Sequence, residues 1–248
     1  MFNKHPKGLI AAALANLGER FGFYTMMAIL VLFLQAKFGM NGKEAGFIYS
    51  TFYFSIYILA LVGGIIADKT RNYKGTIFTG IVLMAVGYLL LAIPSKTPVD
   101  NKMLYLVITC ASLFVIAFGN GLFKGNLQAL VGQMYDNPQY ANMRDSGFSL
   151  FYMFINIGAI FAPFAAVGVR NWWLSTFGYN YDADLPALCH GQLAGTLSPE
   201  ATETYHTLVT KASTAPVQDY TAFASDYLNV FTTGFHYAFG VAIIAMAI

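Results

Sequence analysis

Between Gly8 and Ala36 the chain runs almost unbroken in apolar residues, yet an acid and a base, Glu19 and Arg20, stand side by side near its middle. A helix rises about 1.5 Å per residue, so this run exceeds a hydrocarbon core of about 30 Å and predicts a tilted membrane span. Glu19 and Arg20 then fall near mid-depth, where insertion scales assign each ionisable group a cost of about 2.5–3.5 kcal/mol. Groups that bear such a cost line a water-filled cavity or meet a partner inside a helix bundle. At helical spacing Asn16, Glu19, Arg20, Phe23, Tyr24 and Met27 share one broad face. Two readings follow: an ion pair that pins this helix to a neighbour, or a pathway for a solute or ion.

Composition places the chain among polytopic membrane proteins, because 57% of its residues are hydrophobic, 10% are charged and the mean hydropathy is +0.55. A net charge of +2 without a basic run excludes nucleic-acid binding as a partner class. Cys110 lies in an apolar segment and Cys189 in a polar one, so no disulfide framework is expected. The first apolar run is too long for a signal-peptide core and lacks a small-residue cleavage site.

Hydropathy predicts six spans: Gly8–Phe38, Glu44–Ala67, Gly75–Ile93, Lys102–Tyr135, Ser146–Val169 and Tyr227–Ile248. The fold class is therefore an all-α membrane protein. The cluster Lys69, Arg71 and Lys74 between spans two and three is the densest basic loop, which sets the N-terminus on the cytoplasmic side of a cell (inner) membrane. Residues 1–169 hold spans one to five, 170–226 form a polar extracytoplasmic loop and 227–248 the sixth span. Within the loop, Ser198-Pro199-Glu200 reads as a cap, first position and first-turn acid, so Pro199–Ala212 is a surface helix and Pro216 opens another. The sequence stops at Ile248 inside an apolar run, so half of a larger bundle, or a truncated chain, is expected.

Span four carries a second buried cation. Asn120, Lys124 and Gln128 recur at four-residue spacing as one polar stripe. Glu19 is the acid available at that depth, so Glu19, Arg20 and Lys124 together carry +1 and attract an anion. A carboxylate fits, because Arg offers a two-pronged fork and Lys a compact charge. Tyr49, Tyr53 and Tyr57 form a stripe on span two, with packing or interfacial roles expected for the first two. Ser149, Tyr152 and Asn156 share a face of span five, where Asn156 must turn toward the bundle or leave its amide unsatisfied in lipid. Gly18 with Gly22 and Gly121 with Gly125 are spaced for close helix approach that would bring these charges together. His5, His190, His206 and His236 lack metal-ligand spacing, and no nucleophile triad or phosphate loop occurs, so neither an enzyme nor a bound metal or organic cofactor is expected.

Several segments together resemble the proton-dependent oligopeptide transporters of the major facilitator superfamily. Residues 16–24, NLGERFGFY, are similar to that family's ExxERFxYY signature, and Gly63-Gly64-Ile65-Ile66-Ala67-Asp68-Lys69 to the superfamily's GGxxADR gate motif. Gly121-Leu122-Phe123-Lys124-Gly125-Asn126 in span four, and Phe151-Tyr152 through Asn156-Ile157-Gly158 in span five, extend the likeness. The resemblance implies the N-terminal six helices of a twelve-helix transporter, partnered by a C-terminal six-helix half, that imports di- and tripeptides with protons as coupling ion. It implies that Arg20 and Lys124 hold the peptide carboxylate, that Tyr24, Tyr57 and Asn156 touch the peptide backbone, and that Asp68 and Lys69 gate. The chain departs from the signature at Asn16, which cannot titrate, and at Phe23, which lacks a hydroxyl. The gate motif has Lys69 for arginine and no glycine at Asn72.

On this reading proton coupling falls to Glu19 acting with Lys124, or to an acid of the other half. Protonation of Glu19 would break its bridge to a cation and free that cation for substrate. The alternatives are a facilitator or exporter of another carboxylate-bearing solute with weak proton coupling, and a non-transporting membrane receptor that binds through residues 170–226.

Overall fold

In a computed structural model, which describes residues 4–247, the first helix α1 spans Gly8–Phe38. It ends where Gly39 takes a left-handed conformation (φ 61°) and its N–H returns to Gln35 O, a geometry that glycine adopts without a Cβ penalty. Asn41 opens α2 (Gly42–Thr70) by accepting from the N–H groups of Lys43 and Glu44, while the Glu44 carboxylate accepts from the Asn41 N–H. Helices α3 (Tyr73–Ala92), α4 (Lys102–Met134) and α5 (Arg144–Thr176) follow, the last preceded by a short 3-10 turn at Ala141–Met143. Then come α6 (Leu185–Ala194), α7 (Pro199–Ala212) and α8 (Tyr220–Met246). Six of these, α1 to α5 and α8, are long and apolar enough to cross a membrane.

The hairpin connections make successive spans antiparallel. The core of the packing is α1, which lies against α5 and α8 and also touches α4 and α2; α3 bridges α4 and α8, and α4 packs on α2. Close approach of α4 to both its neighbours depends on glycine. A Cβ built on Gly80 of α3 would stand 2.6 Å from Gly119 O, and one on Gly121 would stand 2.5 Å from Leu59 O of α2. The expected pairing of Gly121 with Gly125 does not occur: nothing lies within 4 Å of a Cβ at Gly125, and the contact residues are Gly119 and Gly121, facing different helices. Gly22 faces Ala242 of α8 and so packs α1 on α8 rather than drawing the charges together.

Three expectations for residues 170–226 change. Helix α5 continues beyond Val169 to Thr176, because the Arg170 guanidinium stacks 3.6 Å from the Tyr181 ring and bonds the Asn171 side chain instead of leaving the helix. Leu185–Ala194 is an additional helix. Pro216 opens no helix; Asp219 caps α8 by accepting from Thr221 and Ala222 N–H, so the last span begins at Tyr220, a full two turns before Tyr227. The surface helix at Pro199–Ala212 forms with Ser198 as its cap, as its sequence pattern predicts.

The α6–α7 segment sits at the end of the bundle where α1 finishes and α8 starts. His190 Nε2 donates to Ala36 O at 2.7 Å, and Tyr205, Cys189 and Leu185 are fully buried beneath the segment. Its helix α6 packs on α1 and α8 and so caps that end of the bundle. Cys110 and Cys189 are both free thiols.

Candidate functional site

Consecutive residues on a helix point about 100° apart, and this decides where the central ion pair goes. Glu19 turns inward between α1 and α4 and is 1% exposed. Arg20 turns toward α2. The Arg20 guanidinium folds back on its neighbour and donates through Nε to Glu19 Oε2 and through Nη2 to Glu19 Oε1 at 2.6 Å. Asn120 of α4 donates through Nδ2 to the same Oε1 at 2.5 Å. The carboxylate thus accepts three charge-assisted bonds in the interior of the bundle. The expected Glu19–Lys124 pairing is absent; the ion pairs among the described residues are Glu19 with Arg20 and Asp136 with Arg144.

On the other side of Arg20 lies a cavity of about 240 Å³ lined by Arg20, Phe23, Tyr24, Met27, Tyr49, Tyr53, Ile56, Tyr57 and Lys124. Lys124 is half-buried, reaches the face of the Tyr57 ring at 5.3 Å and has no carboxylate beside it. Arg20 is placed over the Phe23 ring at 4.9 Å. The Tyr53 and Tyr57 hydroxyls bond each other at 3.0 Å and stand as donors and acceptors on the wall opposite α1. Among the described residues the cavity lining therefore presents two cations and four hydroxyl-bearing rings and no carboxylate. Such a wall is complementary in charge and hydrogen bonding to a small anion that also carries polar groups.

Of the residues singled out from the sequence, Arg20, Tyr24, Tyr57 and Lys124 meet in this cavity, and Glu19 stands behind Arg20, outside it. Asn156 lies on α5 and is exposed, not turned into the bundle, and it does not line the cavity; Tyr152, one turn before it, is 46% exposed on the same stripe. Tyr49 and Tyr53, expected to pack or to sit at an interface, are cavity residues. Their stripe with Tyr57 was the available signal. Asn16 is 6% exposed and its Nδ2 has no partner among the described residues. Asp68 and Lys69 are exposed at the end of α2, where the Tyr73 hydroxyl donates to Asp68 Oδ1 at 2.5 Å. The left-handed residue of that turn is Arg71 (φ 52°), not Asn72. Among the described residues no group of three His, Cys, Asp or Glu side chains is placed to hold a metal ion.

Residues 74–248 match the family model described as PTR2, POT family. The chain belongs to the POT family. This POT-family chain is 34% identical over 185 residues to the peptide transporter YePEPT of Yersinia enterocolitica, covering 73% of this chain and 34% of that protein. It is 34% identical over 179 residues to the dipeptide and tripeptide permease A of an Enterobacter species, covering 71% of this chain and 32% of the permease. The chain thus spans about a third of the length of these curated relatives. In structure it is similar to a POT family transporter crystallised with 5-aminolevulinic acid, with a TM-score of 0.65 and 25% identity over 100% of this chain and 37% of that one. Tetrameric PepTSo2 gives a TM-score of 0.60 and 26% identity over 96% of this chain and 49% of its own. The relatives are named as transporters, in keeping with a chain that is not an enzyme.

Proposed function

We propose that this chain forms one half of a proton-coupled importer of di- and tripeptides that works by alternating access in the inner membrane. The observation that carries the proposal is the cavity in which Arg20 and Lys124 converge without a resident anion. A peptide C-terminal carboxylate supplies the missing charge, bound by the Arg20 fork and the Lys124 ammonium, while Tyr24 and Tyr57 bond the backbone. Asn156, exposed on α5 and outside this cavity's lining, is the further peptide contact that the family resemblance implies. Relatives named as peptide transporters or permeases support this substrate class.

In this proposal Glu19 acts through Arg20, the cation it is bonded to, rather than through Lys124. With Glu19 ionised, two of the Arg20 nitrogens are bound to its carboxylate. A proton on Glu19 weakens that pair and releases the fork toward the cavity, so proton and peptide bind together. The remaining proposals are a C-terminal six-helix partner, a cytoplasmic N-terminus, an extracytoplasmic 170–226 segment, and gating at Asp68 and Lys69. The test is uptake by the complete protein in liposomes. Glu19→Gln is expected to abolish accumulation driven by a pH gradient while exchange of peptide persists; full gradient-driven accumulation would remove Glu19 from the mechanism.

A facilitator with weak proton coupling has one observation in its favour. Asn16 stands where the signature carries an acid, so α1 offers one titratable carboxyl near the cavity. Counterflow of labelled peptide at equal pH on both sides, with no added gain from a pH gradient, would select it.

A further inference from the structure

A second basic site lies at the other end of α1, about 25 Å from Arg20 by the seventeen-residue rise. Lys37 sits in the last turn of α1 and is 2% exposed. Its ammonium donates to Ser95 O at 2.5 Å, Thr97 Oγ1 at 2.8 Å and Lys96 O at 3.3 Å. The cradle is fixed from α8, since Asn229 Oδ1 accepts from Thr97 N–H at 3.1 Å and the Thr97 and Thr232 hydroxyls bond at 2.7 Å. All three ammonium hydrogens are therefore spent on neutral oxygens. Neither ion pair among the described residues involves Lys37, so a full positive charge is buried without a counter-ion.

Beside it is a buried nitrogen with nothing to bond. His236 of α8 is 4% exposed and donates through Nδ1 to Leu91 O at 2.5 Å. That bond fixes the proton on Nδ1, leaving Nε2 as an acceptor, and Nε2 has no partner among the described residues. Both residues line a cavity of about 320 Å³ whose other walls include Phe33, Leu91, Tyr105 and Thr109. At its rim Leu90, Ile93 and Ile108 are 41%, 56% and 41% exposed on membrane-spanning α3 and α4 or just past α3's end.

These features specify a ligand. The uncompensated cation asks for a negative charge nearby, the lone acceptor for an O–H or N–H, and the apolar rim for hydrocarbon. A choline headgroup has no donor. An ethanolamine headgroup has one, but brings a second positive charge against Lys37. We propose that this pocket binds the headgroup of an anionic, hydroxyl-bearing phospholipid such as phosphatidylglycerol, with phosphate facing Lys37, a glycerol hydroxyl donating to His236 Nε2 and an acyl chain over Ile93 and Ile108. The bound lipid ties together the ends of α1, α3 and α8, apart from the peptide cavity.

The complete protein in nanodiscs tests this. Discs of phosphatidylcholine are compared with discs in which a third of the lipid is phosphatidylglycerol or phosphatidylserine, reading thermal unfolding and the lipid retained in native mass spectrometry. Phosphatidylglycerol is expected to raise the melting temperature and to be retained over phosphatidylserine by about tenfold, the equivalent of one buried hydrogen bond. His236→Phe and Lys37→Met are expected to erase that preference. Ile108→Trp, on the exposed rim where folding is not at stake, is expected to lower retention with the buried residues intact. Equal effects of the two anionic lipids, or a preference unchanged in all three variants, would overturn the proposal. The same gain from glycerol phosphate added to phosphatidylcholine discs would overturn the lipid as its source.

Discussion

Asn120 Nδ2 and Glu19 Oε1 lie 2.5 Å apart across the α1–α4 interface, so the central carboxylate is held by a neutral amide as well as by Arg20. A bond from a neutral donor to an ionised group in the interior, once lost, leaves that group partly unsatisfied. Asn120→Ala is expected to destabilise the helix bundle by about 1–3 kcal/mol, read as a lower melting temperature in detergent, with peptide uptake retained once folded. Abolished uptake at unchanged stability would place Asn120 in the transport steps instead.

Arg20→Lys keeps the charge and removes the fork. A carboxylate ligand loses one of two parallel bonds, so half-saturating peptide concentration is expected to rise about tenfold or more. Initial-rate uptake in proteoliposomes measures it. An unchanged value would show that Arg20 serves Glu19 alone.

The α2–α4 contact depends on a missing side chain. A Cβ on Gly63 would stand 2.6 Å from Gly121 C, so Gly63→Ala must push the helices apart at a cost of about 1–3 kcal/mol. Gly125→Ala, with nothing within 4 Å, is expected to leave the melting temperature in place or to raise it.

The cap carries a pH dependence at His190, outside the spans. Burial first, and Lys102 beside it, push the imidazole below its ordinary 6.5, against the opposing pull of its bond to Ala36 O. The docked cap therefore binds fewer protons than the released one, and docking is complete above pH 6.5 and weakens as pH falls through the docked value. Hydrogen exchange of residues 185–212 is expected to quicken between pH 7.5 and about 5, and His190→Gln to flatten that change. Exchange independent of pH in the wild type would contradict it.

Much of the bundle is legible in the sequence because long apolar runs have few alternatives to spanning helices, and all six are placed with ends within a few residues for α1 to α4. The misplaced boundaries fall at polar residues whose partners are distant. Arg170 reads as an exit from the membrane until Tyr181, eleven residues on, stacks on its guanidinium. The ten residues of α6 have Asp184 and Pro186 at their start and Gly195 at their end, but no long apolar run between them marks a helix in a polar segment. In the site, helical spacing identifies the stripe Tyr49, Tyr53, Tyr57 but not its direction, since tyrosine suits a wet cavity and a packed seam equally. The same limit leaves open that Asn156 is exposed rather than turned into the bundle, and that Glu19 pairs with Arg20 rather than Lys124; which way a residue turns depends on which helix stands opposite, and that is a tertiary fact.

The account turns on whether the Arg20–Lys124 cavity recognises a carboxylate. Competition against labelled dipeptide uptake, comparing an unlabelled dipeptide with its C-terminal amide in the complete protein and in Lys124→Gln, asks this directly. The free acid is expected to compete at least about tenfold better than the amide, with the difference shrinking in the variant. Equal competition by acid and amide in the unaltered protein would contradict the central claim.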